Sequence, residues 1–225
     1  MLVVLRIGGS VIASPVNPKL IDKYSALLRK LVKNGHKIMV VVGGGTLARE
    51  FIRVGDKLGL DRKEKDWIAI HVSRLHALLL SSKLTKNGAQ KIPTSLENAI
   101  RIFEKEKIVI MGGLTPGMTT DSVAAKFAVK TNSRLLVKAT DQNGIYNKDP
   151  RKHMDAKKLD KITYRDLTQL LEQDSHKAGI HQILDPVALN ILRGTKIKTM
   201  IVNGYHPENI QKAIEGEDVG TTILE

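Results

Sequence analysis

Ile38-Met39-Val40-Val41-Val42-Gly43-Gly44-Gly45-Thr46 reads as a buried strand that stops at three glycines and hands the chain to a helix. Five consecutive apolar residues without alternation suit a strand covered on both faces, as in a parallel sheet. From Thr46 a helix opens, with Leu47, Phe51, Ile52 and Val54 available for its inner face. The same order recurs along the chain. Leu2 to Ile7 precedes Gly8-Gly9-Ser10, Ile108 to Met111 precedes the loop Gly112 to Thr120, and Leu135 to Lys138 precedes Ala139 through Tyr146. Strands that end in glycine-rich turns and alternate with helices specify an α/β protein with a largely parallel central sheet.

Working outward, the apolar spacing of Ile21 to Val32 predicts a helix that starts near Pro18 and stops at Asn34-Gly35. Further helices are predicted over Trp67 to Leu84, Ser95 to Glu106, Asp121 to about Val129, Tyr164 to Glu172 and Pro186 to Arg193. Thr199 to Val202 is a strand, and Gly220-Thr221-Thr222-Ile223-Leu224 closes the chain. The composition shifts around Asn147 to Lys161, but nothing there reads as a linker between independent domains. The 225 residues therefore form one domain, 1–225, with two lobes sharing a sheet, 1–134 and 135–225.

Composition narrows the chemistry. The chain has no cysteine, which removes disulfides, thiolate metal sites and cysteine nucleophiles and fits a cytoplasmic protein. No stretch is apolar for long enough to span a bilayer, so no membrane role is expected. Lysine and arginine number 36 against 23 acids, a net +13 that asks for an anionic partner. Aromatics at 4% are too few to serve as stacking platforms for single strands, and no nucleic-acid-binding motif is present.

Three turns, Gly8-Gly9-Ser10, Gly43-Gly44-Gly45-Thr46 and Gly112 to Thr120, lie where open α/β sheets bind ligands. Glycines let the backbone approach a phosphate, and each following helix offers unpaired N–H groups. One such turn could equally be a tight turn and a helix cap; three suggest several phosphates or two phosphorylated ligands face to face. Neither the Walker pattern nor Gly-x-Gly-x-x-Gly occurs, and no histidine stands in these turns beside a serine and an acid. His71 and His76 fall on a helix, with no obvious catalytic histidine beside the second turn. Backbone amides, hydroxyls, cations and a few carboxylates suit phosphoryl transfer, which is mostly positioning and charge neutralisation. A phosphate acceptor, with a second pKa of about 6, needs no general base.

The turns, Arg49, Pro116-Gly117 with Thr119-Thr120-Asp121-Ser122-Val123-Ala124-Ala125, Gly144-Ile145-Tyr146 with Asp149-Pro150, Asp185-Pro186 and Gly220-Thr221-Thr222-Ile223 occur in an order that closely resembles the archaeal uridylate kinases of the amino acid kinase superfamily. The resemblance covers the whole chain and implies a three-layer αβα sandwich and Mg2+-dependent transfer from ATP to UMP. It assigns the catalytic centre to Arg6, Asp121 and Lys138. It assigns ATP to Gly9, Ser10, Gly45, Arg49, Thr140, Asp141, Tyr146 and Asp149. UMP falls to Gly44, Asp66 and the acceptor loop Leu114, Thr115, Pro116, Gly117, Met118, Thr119 and Thr120. No residue is assigned as a direct metal ligand, and a hexamer built from dimers is implied.

On the residues alone, Asp66 in Lys63-Glu64-Lys65-Asp66 reads as a solvated charge, Asp121 as a helix cap, Tyr146 as packing and Asp185 as a cap before Pro186. Arg6 stands where many superfamily members carry a catalytic lysine, replacing a compact ammonium by a planar fork. Two other readings stay open: a sibling kinase of the same fold acting on isopentenyl phosphate, and a basic nucleic-acid-binding protein that uses the run Lys148 to Arg165.

Overall fold

A computed structural model describes residues 1–13, 15–84, 91–173 and 184–225. Its strands are β1 (Leu2–Ile7), β2 (Lys37–Val42), β3 (Ile108–Met111), β4 (Leu135–Thr140), β5 (Ile145–Tyr146), β6 (Lys158–Leu159), β7 (Lys161–Thr163), β8 (Lys198–Asn203) and β9 (Thr221–Leu224). Among the described residues seven of them form one sheet in the order β3-β2-β1-β4-β8-β9-β7, parallel at every step except β8 with β9. β5 and β6 pair antiparallel in a separate ribbon, β6 lying within the segment Asn147 to Lys161 and β5 just before it.

The helices are α1 (Gly9–Ile12), α2 (Pro18–Lys33), α3 (Gly45–Lys57), α4 (Arg62–Leu84), α5 (Leu96–Lys105), α6 (Thr120–Lys130), α7 (Tyr164–Gln173), α8 (Pro186–Leu192) and α9 (Glu208–Glu215). Their starts follow capping chemistry. Asn17 accepts the Leu20 N–H at 3.1 Å before Pro18, and Ser95 accepts the Asn98 N–H at 3.1 Å. At α6 the cap is Thr119, whose Oγ1 accepts the Ser122 N–H at 3.0 Å. Asp121 is therefore not the cap, and its carboxylate is left for other work.

Strand alternation sorts the core into two layers of helices. Val3, Leu5 and Ile7 of β1, with Val40 and Val137, pack under α2 and α9 through Leu28, Tyr24 and Ile210. Val4, Met39 and Leu136 pack on the opposite face against α5, α6 and α8 through Phe103, Phe127 and Leu189. Phe103 and Phe127 meet edge to face at 5.2 Å. A side chain as fully buried as Phe127 contributes roughly 1.5–3 kcal/mol relative to exposure. The result is the three-layer αβα arrangement.

One expectation fails on α3. Ala48 and Gly55 are its buried residues, while Phe51 and Val54 are 46% and 51% exposed. The contact with α4 is too close for large side chains: a Cβ on Gly55 would lie 2.9 Å from Cγ of Lys65. Among the described residues no helix is long and apolar enough to cross a membrane.

Candidate active site

The glycine turns stand at the carboxyl ends of β1, β2 and β3, and the strand order reverses at β1, whose neighbours are β2 and β4. Such a switch point opens a crevice between turns. Here the first two turns touch backbone to backbone. A Cβ on Gly9 would lie 2.2 Å from the Gly45 nitrogen, and Gly45 has φ +63°. Only glycine fits this approach. Gly44 precedes α3 without a side-chain cap, so the first N–H groups of that helix stay available to an anion.

Below the turns sits the charged centre. Arg6 and Lys138 are Cα partners across β1 and β4, on the face that α6 covers. Asp121, the second residue of α6 and 8% exposed, lies between them. Its Oδ1 is 2.6 Å from Arg6 Nε and its Oδ2 is 2.6 Å from Lys138 Nζ. Arg6 Nη2 also donates to Thr120 Oγ1 at 3.1 Å. Burial by itself would push the Asp121 carboxyl up, but Arg6 and Lys138 outweigh it and hold the group below the usual carboxylate range. Lys138 is drawn below its ordinary value by burial, and Arg6 adds to this while Asp121 works against both. Asp185 adds a second, more distant negative charge that acts on Lys138.

Beside this centre lies a cavity of about 410 Å3. Of the residues assigned to the acceptor, Gly44, Asp66, Thr115, Gly117, Met118, Thr119 and Thr120 line it. Leu114 turns into the core at 4% exposure, and Pro116 is half-buried outside the lining. Gly45 and Arg49, assigned to ATP, line this same cavity. Asp66 is no solvated charge: its Oδ2 accepts the Gly117 N–H at 2.8 Å. Thr120 joins the two regions, since it lines the cavity and accepts from Arg6.

α4 holds the third turn with residues that sequence reasoning passed over. Ser73 Oγ accepts the Gly113 N–H at 2.7 Å, and Arg74 donates from Nε and Nη2 to the carbonyls of Gly113 and Leu114 at 3.0 Å each. Arg62 at the start of α4 lines the cavity. The helix periodicity had marked only its apolar residues. His76, expected on a helix, does stand beside the second turn: it is 3% exposed with Nδ1 3.0 Å from the Gly43 carbonyl. It braces the turn from behind and does not line the cavity. His71 is exposed.

Asp185 is more than a cap. Its Oδ1 accepts the N–H groups of Val187 and Ala188 at 2.9 and 3.0 Å, while Oδ2 accepts from the hydroxyls of Thr119 and Ser122. It thereby ties the end of the acceptor loop to α8. Past β4, Thr140 Oγ1 donates to Asp141 at 3.2 Å, Asp141 pairs with Arg151 at 2.7 Å, and Asp149 Oδ1 accepts the Arg151 N–H at 3.0 Å. Arg151 had carried no signal beyond the charge of its segment. Tyr146 stands across from Lys158 in the β5–β6 ribbon. Among the described residues no three of His, Asp and Glu come together to hold a metal ion.

The family model for the amino acid kinase family matches residues 1–203. A uridylate kinase of Methanobrevibacter smithii is 38% identical over 224 residues, covering 100% of this chain and 99% of the relative. One from Methanocaldococcus jannaschii is 39% identical over 225 residues, covering 99% of each. The crystal structure of uridylate kinase from Archaeoglobus fulgidus superposes with a TM-score of 0.87 at 36% identity, over 100% of both chains. A UMP kinase structure from Bacillus anthracis, at 22% identity and a TM-score of 0.82 over 99% of this chain and 95% of that one, shares the fold. The chain thus belongs to the amino acid kinase family, in the branch that holds the archaeal uridylate kinases.

Proposed function

We propose that this protein is a UMP kinase that transfers the γ-phosphoryl of ATP to UMP, giving UDP and ADP for pyrimidine nucleotide (CTP) synthesis. The observation that carries the reading is the acceptor cavity, which ends inward on the uncapped N-terminus of α3 and, through Thr120, on Arg6. A nucleoside monophosphate there would meet Asp66 and the acceptor loop with its ribose and base, and Gly44 and Arg49 with its phosphate. A phosphate oxygen of UMP attacks the γ-phosphorus, the bond from that phosphorus to the bridging oxygen breaks, and ADP leaves. The acceptor is already largely dianionic at neutral pH, so no proton has to be removed. What the protein supplies is alignment and relief of repulsion between anions.

In this reading Arg6 is the cation nearest the transferred group, Asp121 orients its fork, and Lys138 acts through Asp121. Gly9 and Ser10 face the ATP phosphates, and Thr140, Asp141, Tyr146 and Asp149 lie toward the adenosine. Mg2+ enters as the ATP complex. The described residues do not suit a protein-held ion, because Asp121 is already paired with Arg6 and Lys138 and, among the described residues, no group of three acids or histidines could hold a metal. The two lobes would divide between β1 and β4, the acceptor on the β1–β3 side and ATP on the β4 side.

Assembly into a homo-oligomer, a hexamer built from dimers by resemblance, is supported by α4, where Trp67, Leu75, Leu78 and Leu79 are 37–57% exposed along one side. The basic run that suggested nucleic acid is met by acids within and outside it: Lys148 pairs with Asp155 and Lys158 with Asp160, while Arg151 pairs with Asp141 and Lys161 with Asp218. A cytoplasmic location accords with consumption of free nucleotides. The test is an acceptor panel with ATP and Mg2+. UMP is expected to turn over far faster than CMP, dUMP or isopentenyl phosphate; equal rates, or none with UMP, would overturn the assignment.

A further inference from the structure

The charged side chains lining the acceptor cavity are Arg49, Arg62 and Asp66. Two of them are committed. Arg49 Nη2 lies 3.2 Å from Thr46 Oγ1 and 3.4 Å from Ser10 Oγ, and Asp66 accepts the Gly117 N–H. Arg62 and Asp66 are four residues apart on one helix, a spacing at which opposite charges commonly pair. They do not pair here. Asp66 is turned to the loop, and among the described residues Arg62 makes no hydrogen bond or ion pair.

The position of Arg62 follows from the contacts along α4. Ser73 lies on the third glycine turn, the Ala69 carbonyl is 3.4 Å from where a Cβ on Gly44 would stand, and Asp66 holds Gly117. Arg62 comes one turn before Asp66, at the outer end of the cavity, and is exposed. Its charge decides the sign of the wall. Arg49 and Arg62 against Asp66 leave one positive excess; without Arg62 the lining is neutral, and the carboxylate that serves the loop is uncompensated at the entrance.

We infer that Arg62 is the residue that captures the acceptor: its guanidinium, uncommitted at the mouth of the cavity, draws in the 5′-phosphate dianion of UMP. This rests on the UMP kinase reading and adds to it a residue outside the motifs. An exposed cation at a cleft mouth acts on encounter and weak binding, and its effect is screened by salt. It does not touch the reacting atoms, so turnover at saturation is left to the Arg6 centre.

The experiment compares wild type, Arg62→Gln and Lys63→Gln by steady-state kinetics and by calorimetric titration with UMP alone, each at about 20 mM and about 500 mM salt. Lys63 is an exposed neighbour that does not line the cavity. For Arg62→Gln the expected result at low salt is a KM and a Kd for UMP raised about 5- to 20-fold, with kcat within about two-fold and KM for ATP unchanged. The gap should narrow to about two-fold or less at high salt, where the screening length falls to a few Å. Lys63→Gln should match wild type. Wild-type affinity for UMP in Arg62→Gln at low salt, or the same loss in Lys63→Gln, would overturn the inference while leaving the kinase assignment intact. Wild-type protein that neither binds nor phosphorylates UMP would overturn both.

Discussion

Arg6 on β1 and Lys138 on β4 are register partners in adjacent strands, and both reach the same carboxylate, that of Asp121, at 2.6 Å. Two cations at neighbouring positions of a buried sheet face would repel each other. A carboxylate delivered from the first turn of α6 makes the arrangement tolerable. Such a triad is weak evidence for stability, since desolvation offsets much of the attraction. Its value lies in geometry: with Nε held by Asp121 and Nη2 by Thr120, the Arg6 fork has one orientation, toward the glycine turns.

The first consequence concerns Lys138. At 2% exposure and outside the acceptor cavity, it reaches the site through the carboxylate of Asp121, 2.6 Å away. Lys138→Met should leave Asp121 to Arg6 alone, letting the carboxylate and the guanidinium rotate together. We expect kcat to fall about 10- to 100-fold with both KM values near wild type, the signature of a lost transition-state interaction. An unchanged kcat would show that Arg6 alone orients Asp121.

Asp121→Asn removes the charge that both cations share. The loss of one partner from a buried ion cluster costs about 3–5 kcal/mol, so a large fall in the denaturant midpoint should accompany a strong loss of turnover. The pH dependence has a definite sign. The folded carboxyl is held below its unfolded value of about 3.9, so its contribution is complete above that pH and is lost as pH falls through the folded pKa. The stability gap between wild type and Asp121→Asn should therefore be constant near neutrality and close progressively below about pH 4. A gap that stayed constant into that range would contradict the ion cluster.

How much of this was legible in the sequence depends on which physical signal each residue carried. β1 and β3 match their predicted runs residue for residue, because a strand buried on both faces is written mostly in apolar residues, with Arg6 the one break in β1. The glycine turns were legible for a similar reason, since only glycine fits the approach of Gly9 to Gly45. α4 was harder. Its inner face includes Ser73 and His76, which serve the turns through hydrogen bonds, so its polar residues read as surface. The expected inner face of α3 failed conversely, because close helix packing selects Ala48 and Gly55 and leaves Phe51 and Val54 outside. Arg62 and Arg151 lacked any local pattern; only the fold brings one to the acceptor cavity and the other to Asp141.

The contact between the first two turns gives a sharp steric prediction. On Gly9→Ala the new methyl would fall 2.2 Å from Gly45 N and 2.4 Å from the Gly43 carbonyl oxygen, both of them backbone atoms. No side chain can swing aside, so the turns must part, and the cleft they form changes shape. Activity should drop by at least about 100-fold, as expected when phosphate donors move off their positions, while the circular dichroism spectrum persists. Ser10→Ala changes a side chain without adding bulk, and its loss should be much smaller.

Asp185 offers a test that separates two roles in one carboxylate. As the cap of α8 through Val187 and Ala188, its truncation to alanine should cost about 1 kcal/mol. As the acceptor for Thr119 and Ser122, it also fixes the end of the loop that lines the cavity. Asp185→Ala should therefore raise KM for UMP, about 10-fold, beyond anything a cap deletion explains. Thr119→Val, which removes the hydroxyl that Asp185 accepts and with it the α6 cap but leaves the α8 cap in place, should reproduce part of the KM change without the loss of α8 stability. Because both single variants break the same hydrogen bond, the double variant should bind UMP better than the sum of the two losses, with a coupling of about 0.5–3 kcal/mol. Additive losses, or an Asp185→Ala variant with wild-type KM, would reduce Asp185 to the helix cap that its place before Pro186 suggests.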